Sequence, residues 1–380
     1  MPKIFVLAPD SFKESMSAEQ ACFAMQRGIE KAMPDARCIH VPMADGGEGT
    51  VDALIAALQG RRIECEVTGP LPAQKIQTYF GLIDEGKTAV IEMAKASGIH
   101  LLEKPQRNPL LTCTFGTGEM IRHALDLGVN KIILGLGGSV TNDAGAGMAQ
   151  ALGAQFYDAA GNAVQGCGGQ LGRIQSIDLS ALDPRLKSAE ILIASDVNNP
   201  LCGANGASAV FGPQKGADAG MVQILDQNLS HFADVVEKAA SHSYRHIAGA
   251  GAAGGLGFGL MAFAGAKIQS GVELVIAQCR LAEKIAQADY VFTGEGKIDF
   301  QTKFGKTPFG VAQAAAKLNK PVIAFAGLVG EGIEELYALG FTRIIGINPP
   351  GCALQDALNN AEMHLENTAA AFIDDLAGHD

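Results

Sequence analysis

Several short stretches of this 380-residue sequence gather groups able to hold a phosphate or a carboxylate. Asp10-Ser11-Phe12-Lys13-Glu14-Ser15 combines carboxylates, hydroxyls and an ammonium, a set able to hold a polar substrate and counter a phosphate charge. A capped loop with Asp10 bonding backbone amides is the equal alternative. Asp45-Gly46-Gly47-Glu48-Gly49-Thr50 sets two carboxylates among glycines, which suits Mg²⁺ held by oxygen ligands or a carboxylate base beside a hydroxyl. Thr293-Gly294-Glu295-Gly296-Lys297-Ile298-Asp299 adds two acids and a lysine, a density costly to bury unless a ligand or ion is paired with it.

Glycine-rich loops form a second group. Gly135 to Gly147, with Gly137, Gly138, Ser139, Thr141 and Asp143, follows an apolar run and precedes a helix, so its amides and hydroxyls could cradle an anion at a helix N-terminus. Close helix packing against the glycines competes with that reading and is compatible with it. Gly249, Gly251 and Gly254 formally match the dinucleotide pattern G-x-G-x-x-G, but the further glycines 255, 257 and 259 make the match cheap and no clear βαβ context surrounds it. Phe211-Gly212-Pro213-Gln214-Lys215-Gly216 offers a lysine on a stiff loop, for which a surface turn with a solvated ammonium is the plainer expectation. The phosphate-loop pattern G-x-x-x-x-G-K-[ST] is absent, because Phe300 stands where its first glycine belongs ahead of Gly305-Lys306-Thr307. Neither the protein-kinase catalytic loop nor a G-x-S-x-G hydrolase elbow occurs.

These loops need elements to position them. Ile4 to Ala8 reads as a strand, Ser17 to Met33 as a helix capped by Ser17, Ile39 to Val41 as a strand and Val51 to Leu58 as a helix. The rhythm returns with a strand at Tyr290 to Phe292 leading into the Thr293 loop, a helix over Pro308 to Leu318, strands at Val322 to Ala326 and Arg343 to Ile347, a helix at Gly332 to Leu339 between them, and a closing helix over Leu354 to Leu376. Between about 70 and 285 the rhythm breaks into two β-rich runs, a helix near Gly118 to Leu127, a strand at Lys131 to Leu134 and long glycine-rich connections. The expectation is an α/β protein of two domains, residues 1–69 with 286–380 sharing a parallel sheet and 70–285 inserted. Ligands sit beyond the carboxyl ends of such strands, where Asp10, Asp45, Asp196 and Glu295 lie, and an interdomain cleft is the expected active site.

Composition narrows the partners. A net charge of −11 repels nucleic-acid phosphates. The apolar start is cut by Pro9 and Asp10 and no later run reaches a membrane span, so a cytoplasmic protein is expected. The eight cysteines lack C-x-x-C spacing, and the eight histidines, His379 among them, lack metal-ligand pairing.

Taken in order, Ala8-Pro9-Asp10-Ser11-Phe12-Lys13-Glu14-Ser15, Ala44-Asp45-Gly46-Gly47-Glu48-Gly49-Thr50, Arg107-Asn108-Pro109-Leu110, Phe115-Gly116-Thr117-Gly118-Glu119, Gly137-Gly138-Ser139, Phe211 to Gly216 and Thr293 to Asp299 resemble the bacterial D-glycerate kinase family, the type I glycerate kinases, over residues 3 to about 347. Thr112-Cys113-Thr114 and Val140-Thr141-Asn142 depart from its pattern without removing a charge. The resemblance implies one flavodoxin-like (Rossmann-type) domain and one restriction-enzyme-like domain, and Mg²⁺-assisted transfer from ATP to D-glycerate. The 2-hydroxyl is favoured as acceptor, with the 3-hydroxyl open. On that reading Asp45 or Asp196 serves as base or orienter; Lys13, Arg107 and Lys215 meet the carboxylate or phosphate charge; Asp10 and Ser11 touch substrate; and Glu295 and Asp299 hold Mg²⁺. Gly137, Gly138, Ser139, Thr141, Gly251 and Gly254 would bind the nucleotide. A nicotinamide-dependent hydroxy-acid dehydrogenase and a non-catalytic small-anion binding protein are the rival readings. The oligomeric state is open, with a homo-oligomer among the options.

Overall fold

The computed structural model describes residues 2–377; Met1 and residues 378–380, His379 among them, lie outside it. Its strands are β1 (Ile4–Leu7), β2 (Arg37–His40), β3 (Arg61–Thr68), β4 (Lys75–Ile83), β5 (Thr88–Glu92), β6 (Lys131–Gly135), β7 (Gln155–Tyr157), β8 (Ser176–Asp178), β9 (Glu190–Ala194), β10 (Lys267–Gln269), β11 (Tyr290–Ile298), β12 (Val322–Val329) and β13 (Arg343–Gly346). Two compact units result. The first contains the chain up to Asp45, Asp52–Gln59 and the chain from Ser270 on; the second contains Gly46–Val51 and Gly60–Gln269.

The first unit is built on a parallel sheet in the order β13-β12-β11-β1-β2. Counted along that unit alone, this is the 2-1-3-4-5 order of flavodoxin-like folds, whose direction of winding reverses between β1 and β11. Phe5, Leu7, Phe292, Ile323 and Phe325 form a buried apolar patch at the centre of one face of the sheet. Each such side chain contributes about 1.5–3 kcal/mol on leaving water. Against that face lie the helices Ala18–Ala32 and Ala361–Ala377. The first starts where expected: Ser17 Oγ accepts from Gln20 N at 3.1 Å while Ser17 N donates to Gln20 Oε1 at 2.8 Å, a reciprocal cap that satisfies amides otherwise left bare. Its buried stripe includes Ala21, Cys22, Met25 and Ile29. A β-carbon on Gly28 would lie 2.2 Å from the carbonyl oxygen of Glu366, so this glycine sets how closely the two helices cross. The closing helix is divided, Leu354–Asn359 and then Ala361–Ala377.

The second unit holds a mixed sheet in the order β10-β9-β6-β5-β4-β3. Its inner strands β5, β6 and β9 run parallel and carry unbroken apolar runs such as Ile132-Ile133-Leu134 and Ile191-Leu192-Ile193, as strands covered on both faces must. β3 and β4 complete it as antiparallel partners.

The boundaries differ from the expected 69/70 and 285/286. Arg61–Thr68 is a strand bonded along its length to β4, which draws the division back to Gly60. At the other end, the helix Gly271–Gln278 belongs to the first unit because it packs on Thr307–Ala316, where Gly310 leaves room for Val272. The stretch from Thr293 is also not a loop: β11 continues through Ile298, pairing Gly294 with Phe325 and Glu295 with Ala326. Glycine is required there, since a β-carbon on Gly294 would sit 2.4 Å from the Phe325 carbonyl oxygen.

Candidate active site

In the first unit, the chain leaves β1 at Ala8 and is tied to β11 by the bonds Ala8 N to Phe292 O and Asp10 N to Gly294 O, 2.7 and 2.9 Å long. Asp10 therefore lies at the reversal point between β1 and β11, where open α/β sheets bind ligands. One carboxylate oxygen of Asp10 accepts from Ser11 N at 2.6 Å and from Ser11 Oγ at 3.3 Å; the other accepts from the hydroxyl of Thr307, the first residue of the helix Thr307–Ala316. Burial, reinforced by the nearby Asp45 charge, pushes the Asp10 carboxyl up to about 6 against the pull of those hydrogen bonds. Glu295 accepts from Lys306 Nζ through both oxygens, at 3.1 Å each, and from Thr302 Oγ1 at 3.2 Å. Burial still dominates and lifts it to about 7, opposed by Lys306 and aided by the Asp10 charge.

Asp299 has a different environment. One of its oxygens caps Gln301 N at 2.9 Å and the other holds Lys297 Nζ at 2.8 Å, and the lysine bond keeps its carboxyl below the usual range. Lys13 is exposed, its backbone lying beside Gly296. Asp45 is half-buried. In the sequence Lys306 and Thr307 show only as an incomplete phosphate loop; the Thr307-Pro308 pair at a helix start is the signal that marks their place.

The second unit carries Lys215, Ser139 and the neighbouring glycines. Lys215 is not a solvated surface lysine: only 1% of it is exposed, and its Nζ donates to Ser139 Oγ and to the Thr141 carbonyl, both at 2.7 Å. Burial pushes its ammonium down to about 7, with Asp143 acting in the opposite direction. Gly137 and Gly138 are exposed, and with Ser139, Gln214 and Lys215 they line a cavity of about 280 Å³. Gly216, at φ +95°, fits against the Arg107 backbone, and the half-buried Arg107 donates through Nε to Leu102 O at 3.2 Å. Asp196 is exposed just beyond β9.

The model of the glycerate kinase family matches residues 5–377. The chain belongs to the glycerate kinase family. A glycerate kinase of Haemophilus influenzae is 50% identical over 96% of both chains, and the glycerate 2-kinase of Escherichia coli K12 is 49% identical over 94% of this chain and 93% of its own. A crystal structure from Salmonella typhimurium LT2, provisionally assigned as glycerate kinase 2, superposes with a TM-score of 0.91 at 46% identity, covering 100% of this chain and 99% of that one. Membership of the glycerate kinase family makes ATP the phosphoryl donor.

In this glycerate kinase family chain, two of the expected nucleotide loops are occupied by the protein itself. The helix after Gly145 spans only Ala146–Ala151, and its start is filled by Asp143, whose carboxylate accepts from Thr114 N and Oγ1 and from the amides of Gly145 and Gly147 at 2.7–3.3 Å. Burial nonetheless raises Asp143 to about 6. The amide of Gly251 donates to Asn199 O at 2.9 Å, and a β-carbon on Gly254 would stand 1.9 Å from Thr141 O. Gly251 and Gly254 are thus packing glycines, which also removes the motif on which a dehydrogenase reading rested. Thr141 is fully buried and offers its carbonyl to Lys215, so the exposed part of the long loop is Gly137 and Gly138. Among the described residues no helix is long and apolar enough to cross a membrane, and no group of three or more His, Cys, Asp or Glu side chains is preassembled to hold a metal ion.

Proposed function

We propose that the protein transfers the γ-phosphoryl group of ATP to the 2-hydroxyl of D-glycerate, releasing 2-phosphoglycerate and ADP. The observation that carries this reading is the cluster at the β1–β11 reversal, where the Asp45 charge acts on Asp10 and the Asp10 charge acts on Glu295, and Lys306 and Thr307 are bonded to Glu295 and Asp10. Phosphoryl transfer asks the protein for charge compensation, an aligned hydroxyl and a proton acceptor, and these side chains supply all three. The 2-position is favoured because a relative 49% identical is a glycerate 2-kinase.

Asp45 is the residue we assign as proton acceptor for the glycerate hydroxyl, in preference to the exposed Asp196, since it belongs to the carboxylate cluster. Asp10 has both oxygens bonded and orients the loop that carries Ser11 and Lys13. Lys13 and Arg107 remain candidates for the substrate's negative charge. The carboxylates are of the oxygen-donor type a magnesium ion takes, and a divalent cation would relieve the part of the Asp10 and Glu295 elevation that a neighbouring carboxylate adds to burial. Asp299 is engaged in the same way as Asp10 and Glu295, its two oxygens held by Gln301 N and Lys297. Held by Asp10, Asp45 or Glu295, the ion would neutralise phosphate charge. A cytoplasmic setting, which provides ATP and keeps the eight free cysteines reduced, is part of the same proposal.

The test is incubation with ATP, Mg²⁺ and D-glycerate, followed by ³¹P NMR. The expected result is a 2-phosphoglycerate resonance growing with ADP. A 3-phosphoglycerate resonance instead would move the acceptor to the other hydroxyl, and no ATP-dependent product from folded protein would leave the small-anion binding protein as the reading.

A further inference from the structure

The Lys215–Ser139 contact has a defined polarity. An ammonium has three protons and no lone pair, so at 2.7 Å Lys215 donates and Ser139 Oγ accepts. The hydrogen of the Ser139 hydroxyl must then find a different acceptor. Among the described residues the protein provides none: the bond from Lys215 is the one the Ser139 side chain makes, and two of the three Lys215 protons go to Ser139 and Thr141. Both residues line the 280 Å³ cavity beside the exposed Gly137 and Gly138. Asp143 is the charged group that acts on Lys215, and it does so through space, its own oxygens being held by Thr114, Gly145 and Gly147. A buried cation on the wall of a cavity, next to a hydroxyl forced to donate, is a receptor for a negatively charged oxygen.

We propose that this cavity is an anion subsite in which Lys215 supplies the charge and fixes the Ser139 hydroxyl as a donor to a carboxylate or phosphate oxygen of a bound substrate. The inference rests on the kinase reading for the identity of the two substrates, ATP and D-glycerate, that could supply this oxygen. It also has a built-in reversal. A neutral Lys215 amine has a lone pair, and the Ser139 hydroxyl can then donate to it and turn its hydrogen away from the ligand. Since burial has pushed Lys215 down to about 7 while Asp143 is raised only to about 6, deprotonation of the lysine falls near and above neutral pH, with Asp143 already ionised.

Calorimetric binding of D-glycerate and of a non-hydrolysable ATP analogue to the full chain tests this, together with KM and kcat for each substrate. Ser139→Ala, a small change at a position with room beside it, should weaken binding of one of the two roughly tenfold or more, the effect of losing a hydrogen bond to a charged group. A loss confined to D-glycerate assigns the substrate carboxylate to the cavity, and one confined to the ATP analogue assigns a phosphate. D-glycerate stays ionised from pH 6 to 8.5; if it is the occupant, its affinity for the wild type should fall across that interval and stay level in Lys215→Arg, whose guanidinium does not titrate. Wild-type affinities for both ligands in folded Ser139→Ala would overturn the inference while leaving turnover, and so the kinase reading, intact. Conversely, a wild type that binds an anion in a Ser139-dependent way yet transfers no phosphate would sink the kinase reading alone.

Discussion

Asp45→Asn is expected to lower kcat for D-glycerate by about 10²–10⁴-fold, the usual contribution of a positioned general base, with a much smaller change in KM. Asparagine keeps the size and one oxygen of the side chain but cannot accept the proton that leaves the substrate hydroxyl. Removing a negative charge from the cluster should also let the Asp10 carboxyl fall back from about 6, because Asp45 is the second cause of its elevation after burial. The measurement is steady-state kinetics of Asp45→Asn beside Asp196→Asn. A collapse of kcat in the Asp196 variant with the Asp45 variant near wild type would transfer the base to the far end of β9 and undo the assignment made above.

The largest expected effect on stability comes from Gly254→Ala. Gly254 has φ +69°, and a β-carbon there would lie 1.9 Å from Thr141 O and 2.7 Å from the Asn142 α-carbon, so backbone has to move. Left-handed strain of about 1–2 kcal/mol adds to an overpacking cost of about 1–3 kcal/mol, giving a loss of roughly 2–5 kcal/mol in urea unfolding. Gly128→Ala is the control: its φ is +80° but nothing lies within 4 Å, so only the conformational part, about 1–2 kcal/mol, should appear. Equal losses at the two positions would show that the contact with Thr141 contributes nothing. Because Thr141 O also holds Lys215, folded Gly254→Ala should lose the anion affinity of the cavity as well.

What the sequence discloses here follows how local each feature is. Asp10 and Glu295 are visible because acids just after an apolar run are informative on their own, and Ser17 because a cap is settled within four residues. Lys215 could not be read correctly, since what makes it buried and paired is Ser139, 76 positions away. The same holds for Asp143, whose partner Thr114 lies 29 positions earlier and whose role was hidden among glycines suggestive of a phosphate cradle. Glycines 294 and 296 argue for a loop by propensity, while the contact with β12 that requires glycine at position 294 is tertiary. The helix Ala219–Ala240 was legible and overlooked: Leu225, Leu229, Phe232, Ala233 and Val236 mark one face at helical spacing.

The strand order of the first unit has a consequence for synthesis. β1 and β2 leave the ribosome early, yet the neighbour of β1 on its other side, β11, is some 285 residues behind β1, about 14–57 s at ordinary elongation rates. Phe5 and Leu7 must wait still longer for the helix carrying Leu365, Phe372 and Ile373 that finally covers them. The second unit, almost all of it one uninterrupted run from Gly60 to Gln269, is available to fold in the interval. Nascent chains arrested before Tyr290 should therefore yield a protease-resistant core from the middle of the sequence and none from its start, leaving an unpaired apolar strand as a natural client for a chaperone.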